Sequence, residues 1–424
     1  DDNSSDNTRK IFKNINNPKK NKISIIRNSS TEGIQKIANK ILTLSSGKYF
    51  MRLDADDWLE KEAIKRMVDV LESNPKSEIV FGNYNFVSEE GTKLGTDKKL
   101  SFSKRLNYKH FPAHGACTMF RKKTLVKVGG YDEKLKAQDG WDIWQKIAKR
   151  DTIFHINKTL FNYRQHENSL SSNKEKVLKY RNMIFEGLSK LTKKKKKLNC
   201  LAIIPVKENY KNFSNVPFLK IKKKNLLDIA IDSAINSIHI NKVAISTSSK
   251  KVLKYIKNKK YSLDKNKIFT VQRNNENSKR FLDIRKIIIE AGESYKRKFK
   301  KKLDLVVYLS IHAPFRKSEH IEKALNILLV NKCDTVFSVN LEYEPTFKFS
   351  NKGIQLLNPG RFDELNFERE TLLKFNGSLI LTKYSIIKNS NIFKSDLGYL
   401  EMNNFESQQI KSNEDLKKIK TLIN

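Results

Sequence analysis

The sequence predicts an α/β protein of two tandem domains with mostly parallel central sheets. Apolar runs of strand length alternate with segments of helical periodicity from the N-terminus onward, the order that builds a parallel sheet covered by helices. Five consecutive lysines, Lys193–Lys197, then interrupt the pattern. Like charges in a row cannot pack and mark a solvated boundary. Directly after them CLAIIPV, Cys200–Val206, is the unbroken apolar run that a strand buried on both faces requires, and the alternation restarts. These observations set a first domain over residues 1–190, a Lys-rich linker over 191–198 and a second domain over 199–424.

The elements follow in order. KISIIR, Lys22–Arg27, is a short apolar strand, and Gly33–Leu44 reads as a helix with Ile34, Ile37, Ala38 and Ile41 on one face. Lys48–Leu53 is a strand that runs into a group of aspartates. Ile64, Met67, Val68 and Leu71 recur at helical spacing, and Asn74-Pro75 stops that helix. Glu78–Val87 is a strand again, and Lys174–Lys190 is helical. In the second domain, helices Leu226–Ile238, Phe281–Tyr295 and Glu319–Leu329 alternate with strands Lys242–Thr247, Leu303–Ser310 and Thr335–Val339. No short-period repeat is present.

The chain of 424 residues is long enough for two or three cores. No run of 18 or more apolar residues and no signal peptide is visible. The first residue is Asp and already lies inside a motif, so an N-terminally incomplete sequence is expected. Cys117, Cys200 and Cys333 stand far apart. They read as buried small hydrophobes in a reducing cytoplasm. Lys and Arg number 84 against 46 Asp and Glu, a formal net charge of +38. The lysines are scattered, with clusters at Lys193–Lys197 and Lys296–Lys302. They read as a solvated surface, with attraction to a polyanion or to the inner face of a membrane as the alternative. No zinc-finger or RNA-recognition spacing points to sequence-specific nucleic-acid binding.

Against that background RLDADDW, Arg52–Trp58, is an anomaly, with Asp54, Asp56 and Asp57 crowded at a strand end. In open α/β sheets, ligands bind at the carboxyl ends of strands. Carboxylates there suit Mg²⁺ or Mn²⁺ bridging to phosphates, although Asp-rich turns and caps have the same composition.

Three further pieces change the weighting. The chain opens DDNSSDNT (Asp1–Thr8); KVGGYDEKLKAQDGWDIWQKI runs from Lys127 to Ile147; YRQHENSLS spans Tyr163–Ser171. Together with LDADD, in this order, they resemble the family 2 glycosyltransferases of the GT-A fold over Asp1–Ser171. The resemblance implies that Asp1 and Asp2 lie against the donor's nucleoside and that Asn39 flanks the nucleotide. It implies that Asp54 and Asp56 form the metal-binding DxD, with Asp57 beside it. It makes Asp139 the general base of an inverting transfer and His166 the residue that closes over the metal-diphosphate. The residues alone leave other roles open: a helix cap for Asp139, a surface histidine for His166, and packing for Trp141 and Trp144. Gly129-Gly130 reads as a turn with positive φ, and His114 as a minor acceptor-side candidate. Family members carry a strand of the form SIIIPxYN before the acidic turn. It is missing here, so the nucleotide-binding half is expected to lack a sheet element.

In the second domain LAIIPVKEN (Leu201–Asn209), NLLDIAIDSA, VAISTSS, LVVYLSIHAPFR and NGSLILT resemble the acylneuraminate cytidylyltransferases, over roughly residues 199–424. These join nonulosonic acids such as sialic acid to CMP from CTP. The phosphate loop departs from the family: VKENYKNFSNVPF has no glycine. Gln409 and Lys411 stand where the family has metal-binding aspartates, and Ser248 replaces another aspartate. A protonated lysine cannot ligate Mg²⁺. Lys207, Arg316 and Asn376 remain as nucleotide-lining candidates, with surface or turn roles as the alternative.

Both resemblances imply nucleotide-diphospho-sugar-transferase-like (GT-A/Rossmann-like) domains. The expected function is an inverting, metal-dependent hexosyltransferase acting on a surface glycan, fused to a divergent cytidylyltransferase-like domain. The donor would be a UDP-, dTDP- or GDP-sugar and the acceptor a glycan or lipid-linked glycan. CTP, a nonulosonic acid and a homodimer partner are further expectations. The alternatives are that the C-terminal half is the working enzyme, or that the chain is a non-catalytic basic scaffold.

Overall fold

A computed structural model describes the chain except for residues 15–22, 98–108, 110–111, 167–172, 194–197, 211–212, 260–264, 274–283, 352, 358–371, 390–391 and 424. It divides into two compact units, Asp1–Arg181 and Asn182–Asn424. The division falls inside a long helix, ahead of the lysine run.

The first unit comprises α1 (Thr8–Lys13), α2 (Ile34–Leu44), β1 (Tyr49–Met51), β2 (Trp58–Leu59), α3 (Ala63–Ser73), β3 (Ile79–Val87), β4 (Lys93–Asp97), β5 (Met119–Arg121), α4 (Lys122–Lys127), α5 (Asp139–Ile147) and β6 (Ile153–Arg164). The helix α6 (Lys174–Lys193) follows. The sheet order is β1-β5-β3-β6-β2, with β4 on β3. The central strand β3 is buried along all nine residues. Ile79 and Phe81 pack against α2 and α5, while Val80, Tyr84 and Phe86 pack against α3.

Three expectations are corrected here. The first sheet is not mostly parallel among its described strands: β3 and β6 pair parallel, but β1·β5, β3·β5, β3·β4 and β2·β6 are antiparallel. The apolar segment Lys22–Arg27 forms no strand among its described residues. It is held instead at its end, where Asn28 N–H donates to Asp1 O at 3.0 Å. The helix faces also differ in part, although Ala38, Met67 and Leu71 point inward as the spacing suggests. In α2 the buried residues are Gln35, Ala38 and Leu42, and in α3 Ala63, Met67 and Leu71. Ile41 and Ile64 stay exposed, because each helix offers the sheet a narrower stripe than its apolar positions suggest.

The second unit comprises β7 (Cys200–Val206), β8 (Lys220–Ile221), β9 (Lys224–Asn225), α7 (Leu226–Ile235), β10 (Lys242–Thr247), α8 (Lys250–Asn258), β11 (Ile268–Gln272), α9 (Ile284–Phe299), β12 (Leu305–Leu309), α10 (Ser318–Asn331), β13 (Thr335–Glu342), β14 (Phe347–Ser350), β15 (Gly353–Leu356), β16 (Leu372–Lys383), α11 (Tyr384–Asn389), β17 (Leu397–Glu401) and α12 (Asn413–Ile423). Its seven-stranded sheet runs β11-β10-β7-β12-β16-β13-β17. The neighbours β11·β10, β10·β7, β7·β12 and β13·β17 are parallel, as expected; only β16 runs against its neighbours. Helix α9 covers one face, setting Ile287, Ile288 and Ala291 against Leu201, Ile203 and Ala244. All three cysteines are buried and free. No helix among the described residues is long and apolar enough to cross a membrane.

The segment after β17 returns to the carboxyl edge of this sheet and is pinned by Glu406. Its carboxylate lies 3.2 Å from Nε2 of the buried His320 and 3.3 Å from Lys317 Nζ. His320 Nδ1 in turn accepts from Lys317 N–H at the start of α10. The His320 hydrogen bond, opposed by burial and helped by Lys317, holds the Glu406 carboxyl down at about 2. A depressed folded-state pKa stabilises above the unfolded value and is lost as pH falls toward the folded one. Glu406→Gln should therefore lower stability by about 1.5 kcal/mol at neutral pH. Thermal melts of the variant and wild type should converge as pH falls from about 4.5 toward 2.

Candidate active site

The acidic stretch after β1 forms a turn. Asp57 N–H donates to Asp54 O at 3.2 Å, which closes the chain over Ala55 and Asp56 and lets β2 begin. β2 then pairs with β6, Trp58 opposite Asn162 and Leu59 opposite Phe161. That register brings the end of β6 to the turn. Arg164 N–H donates to Asp57 Oδ1 at 3.0 Å, and its Nε donates to Asp56 O at 2.9 Å. Its guanidinium also reaches Ser88 O at 3.3 Å and Glu89 O, and lies over the Trp58 ring. Two residues on, His166 Nε2 stands 3.0 Å from Asp56 Oδ2. Asp56 and His166, separate in sequence, are thus brought together.

Asp139 arrives from another direction, as the first residue of α5 behind Gln138, which takes a left-handed conformation. It accepts a hydrogen bond from Arg52 Nη1, and Arg52 Nε lies 2.8 Å from Asp54 Oδ1. One guanidinium therefore sits between two of the expected site carboxylates. The approach depends on two glycines: a Cβ on Gly140 would stand 2.8 Å from the Gly115 Cα.

Electrostatics reflect the crowding. Burial and the charges of Asp56 and Asp54 push the Asp57 carboxyl up to about 7 against the Arg164 backbone hydrogen bond; its Oδ2 is buried without a hydrogen-bond donor. Burial likewise raises Asp54; Asp139 and Asp56 add to the rise and Arg52 opposes it. Burial disfavours the Arg52 charge, but Asp139 and Asp54 outweigh it, so the guanidinium is held protonated more firmly than usual.

The remaining first-unit candidates are placed nearby with other partners. Asp2 takes hydrogen bonds from Asn28 Nδ2, Glu32 N–H and Gly33 N–H at 3.0, 2.8 and 2.9 Å, so it closes the N-terminus of α2. Burial works against it, but these bonds hold its carboxyl below the ordinary value. Asp1 Oδ1 accepts from Ser4, and its buried Oδ2 has no hydrogen-bond donor, only Arg27 Nε at 3.5 Å. Asn39 uses both ends of its amide on one turn, donating to Tyr131 O and Glu133 and accepting from Tyr131 N–H. That turn contains Gly129 and Gly130, at φ +84° and +65°. Trp144 is core, edge-on to Phe81, and Trp141 is buried beneath Arg181. His114 is among Tyr84, Phe161 and Tyr163.

In the second unit, candidates gather at the carboxyl edge, where β7 and β12 lead in opposite directions. Lys207 follows β7, with its ammonium 5.7 Å from the Tyr210 ring centre. Tyr210 OH meets His312 Nε2 at 3.0 Å, and burial pushes the phenol up to about 12. Asn376 Oδ1 accepts from Ser338 Oγ and Ser378 N–H. Its Nδ2, with Ser378 Oγ, Ser246 Oγ and Arg273 Nε, is buried without a hydrogen-bond partner. Arg316 differs from expectation. It is 2% exposed, donates to Ser310 O, Ser378 O and Ser233 Oγ, and burial lowers it to about 10. It ties β12 to β16 from inside. Gln409 Nε2 donates to Asn376 O.

Arg52, Arg164 and Arg273 escaped the sequence reading. The signal for Arg52 was present: in an extended chain, residues two apart share a face, so it had to meet Asp54. Arg164 and Arg273 depend on strand register, which local pattern does not give.

Among the described residues, no three Asp, Glu, His or Cys side chains form a group able to hold a metal ion. Asp56 and His166 supply two, one hard oxygen and one imidazole. Mg²⁺ and Mn²⁺ sites built on one or two carboxylates are commonly completed by substrate phosphates and water. The donor set fits a cation that arrives with a diphosphate.

Residues 1–129 match the family described as Glycosyl transferase family 2. An uncharacterized glycosyltransferase of Methanocaldococcus jannaschii is 29% identical over 168 residues, 38% of this chain and 57% of that protein. Chondroitin synthase of Escherichia coli is 25% identical over 205 residues, 47% of this chain and 29% of that protein. The chain thus spans about half the length of the first relative and under a third of the second. A solved structure of CMP:2-keto-3-deoxy-manno-octonic acid synthetase with CTP aligns at a TM-score of 0.38 and 13% identity, covering 53% of this chain and 98% of that one. The N-terminal part of the chain carries a glycosyl transferase family 2 domain.

Proposed function

We propose that the first unit transfers a sugar, with inversion, from a nucleotide-sugar donor to a glycan or lipid-linked acceptor of a surface polysaccharide. The observation that carries this is the meeting of three segments: the β1–β2 turn, the start of α5 and the end of β6. They set Asp54, Asp56, Asp139 and His166 in one mouth. Asp139 accepts the proton of the acceptor hydroxyl. The hydroxyl oxygen bonds to the anomeric carbon from the face opposite the departing diphosphate, and the carbon–oxygen bond to that diphosphate breaks. Asp56 and His166 would hold a divalent cation, of the kind family 2 glycosyltransferases commonly require, which when bound stabilises charge on the leaving diphosphate. Asp1 Oδ2, a buried acceptor lacking a donor, suits a nucleoside hydroxyl or amine. Asp2 and Asn39 support that wall indirectly, through α2 and the Gly129–Glu133 turn. A cytoplasmic place of work, at the inner face of a membrane, would suit a lipid-linked acceptor and the basic surface.

A second reading concerns the second unit, where unpartnered Asn376 Nδ2, Ser378 Oγ, Ser246 Oγ and Arg273 Nε line one sheet edge. Buried donors left unpaired are costly unless a ligand or water satisfies them. They and Lys207 favour a site for a nucleotide or an anionic sugar. CTP with a nonulosonic acid, giving CMP-sugar and pyrophosphate, is the reaction this reading assigns. Gln409 and Lys411, standing where the resemblance places metal-binding aspartates, supply no carboxylate to a metal.

Nucleoside diphosphate release from a panel of UDP-, dTDP- and GDP-sugars tests the first reading. Asp139→Asn should lower kcat by about 10²–10⁴-fold. Asp56→Ala and His166→Ala should each raise the Mn²⁺ concentration needed for half-maximal rate, and chelation should stop wild-type turnover. Equal turnover by all four proteins would sink the assignment. For the second unit, calorimetric CTP binding that Asn376→Ala weakens about tenfold would support the second reading. If CTP and a nonulosonic acid panel neither bind nor yield pyrophosphate, that reading falls. Polyanion binding that vanishes with modest salt would then favour a basic scaffold.

A further inference from the structure

Arg52 has no part in either half of the transfer reaction as described, yet it is the cation most deeply set among the site's carboxylates. Its side chain is 15% exposed. The guanidinium spans two elements, with Nε against Asp54 after β1 and Nη1 donating to Asp139 at the start of α5. It is also held from behind. Arg52 O accepts from Cys117 N–H at 2.9 Å, and a Cβ on Gly115 would stand 3.1 Å from Nη2. The planar, five-donor fork of arginine can serve two carboxylates at once, which the point charge of lysine cannot.

We propose that Arg52 is a positioning residue for glycosyl transfer, fixing the Asp139 carboxylate at a set distance from the donor-side carboxylate Asp54. The proposal rests on Asp139 being the base. Asp139 extends from the first position of a helix and has a rotatable side chain; the contact with Arg52 selects one orientation. Arg52 also links the two halves of the reaction: the nucleotide side answers to Asp54, the acceptor side to Asp139, and both answer to one guanidinium. It touches no substrate in this role and acts only through the carboxylates it holds. Misplacing a reacting group by about 1 Å costs on the order of 100-fold in rate.

The test is a double-mutant cycle on the full chain, read as kcat and donor KM, with thermal melts alongside. Arg52→Gln should lower kcat about 100-fold while donor KM stays within about threefold. In an Asp139→Asn background, the same substitution should cost no more than about threefold, because residues acting as one unit do not add. Guanidinium ion should restore part of the rate to Arg52→Ala, while urea, of the same shape but uncharged, should not. Arg52→Lys, which keeps the charge if Arg52→Gln fails to fold, should still lose at least about tenfold in kcat. Losses that multiply across the cycle, a change confined to KM, or a Lys variant with wild-type kcat would each overturn the role of Arg52. Full activity in Asp139→Asn would instead remove the base on which it rests.

Discussion

Carboxylates repel, and the first unit sets four of them at the end of a three-residue strand. Asp54, Asp56, Asp57 and Asp139 stay there because cations reach them from two sides. Arg164 comes from β6, folds over the turn and takes hold of its backbone as well as Asp57. Arg52 comes from the residue just past the strand and meets Asp139. Neither is positioned by charge alone. The first depends on the register of β2 against β6, the second on α5 beginning where it does. The fully buried strand β3, paired along β6, fixes both. Compensation is nevertheless incomplete. Asp57 keeps a buried oxygen with no donor, and burial with the neighbouring carboxylates pushes its carboxyl up to about 7.

Much of this was legible in the sequence. Strand and helix periods located most elements, and the order of four short motifs picked out the candidate carboxylates. Less legible was anything set by partners distant in sequence. Ile41 and Ile64 look like core residues by spacing, but their helices turn Leu42 and Ala63 inward instead. The apolar segment Lys22–Arg27 has strand composition without a ladder, since composition supplies propensity and a neighbouring strand supplies hydrogen bonds. Arg316 looked like a residue lining a nucleotide pocket and is instead a buried brace between two strands. A sequence shows that a residue is charged; only the packing shows whether that charge faces a ligand.

The second unit makes the same contrast from the other side. Its sheet order matches the alternation read from the chain, and the carboxyl edge lies where such sheets hold ligands. At positions 376, 409 and 411 the side chains at that edge are amide and basic. Gln409 is occupied with Asn376 O, and Lys411 stands beyond it. The donors left unpartnered there ask for an acceptor, so any ligand they hold is recognised through its oxygens.

The contact between Gly115 and Gly140 has a consequence for how such a site can change. Their backbones approach so closely that a methyl group on Gly140 would collide with the opposite Cα, and no rotation of a side chain could relieve it. The two positions act as a fixed seam between the loop and α5. Substitution is closed at that seam, and open instead on the surrounding surface, where a change of side chain leaves the carboxylates in place. The seam separates the positions that fix the carboxylates from those that only shape the opening around them.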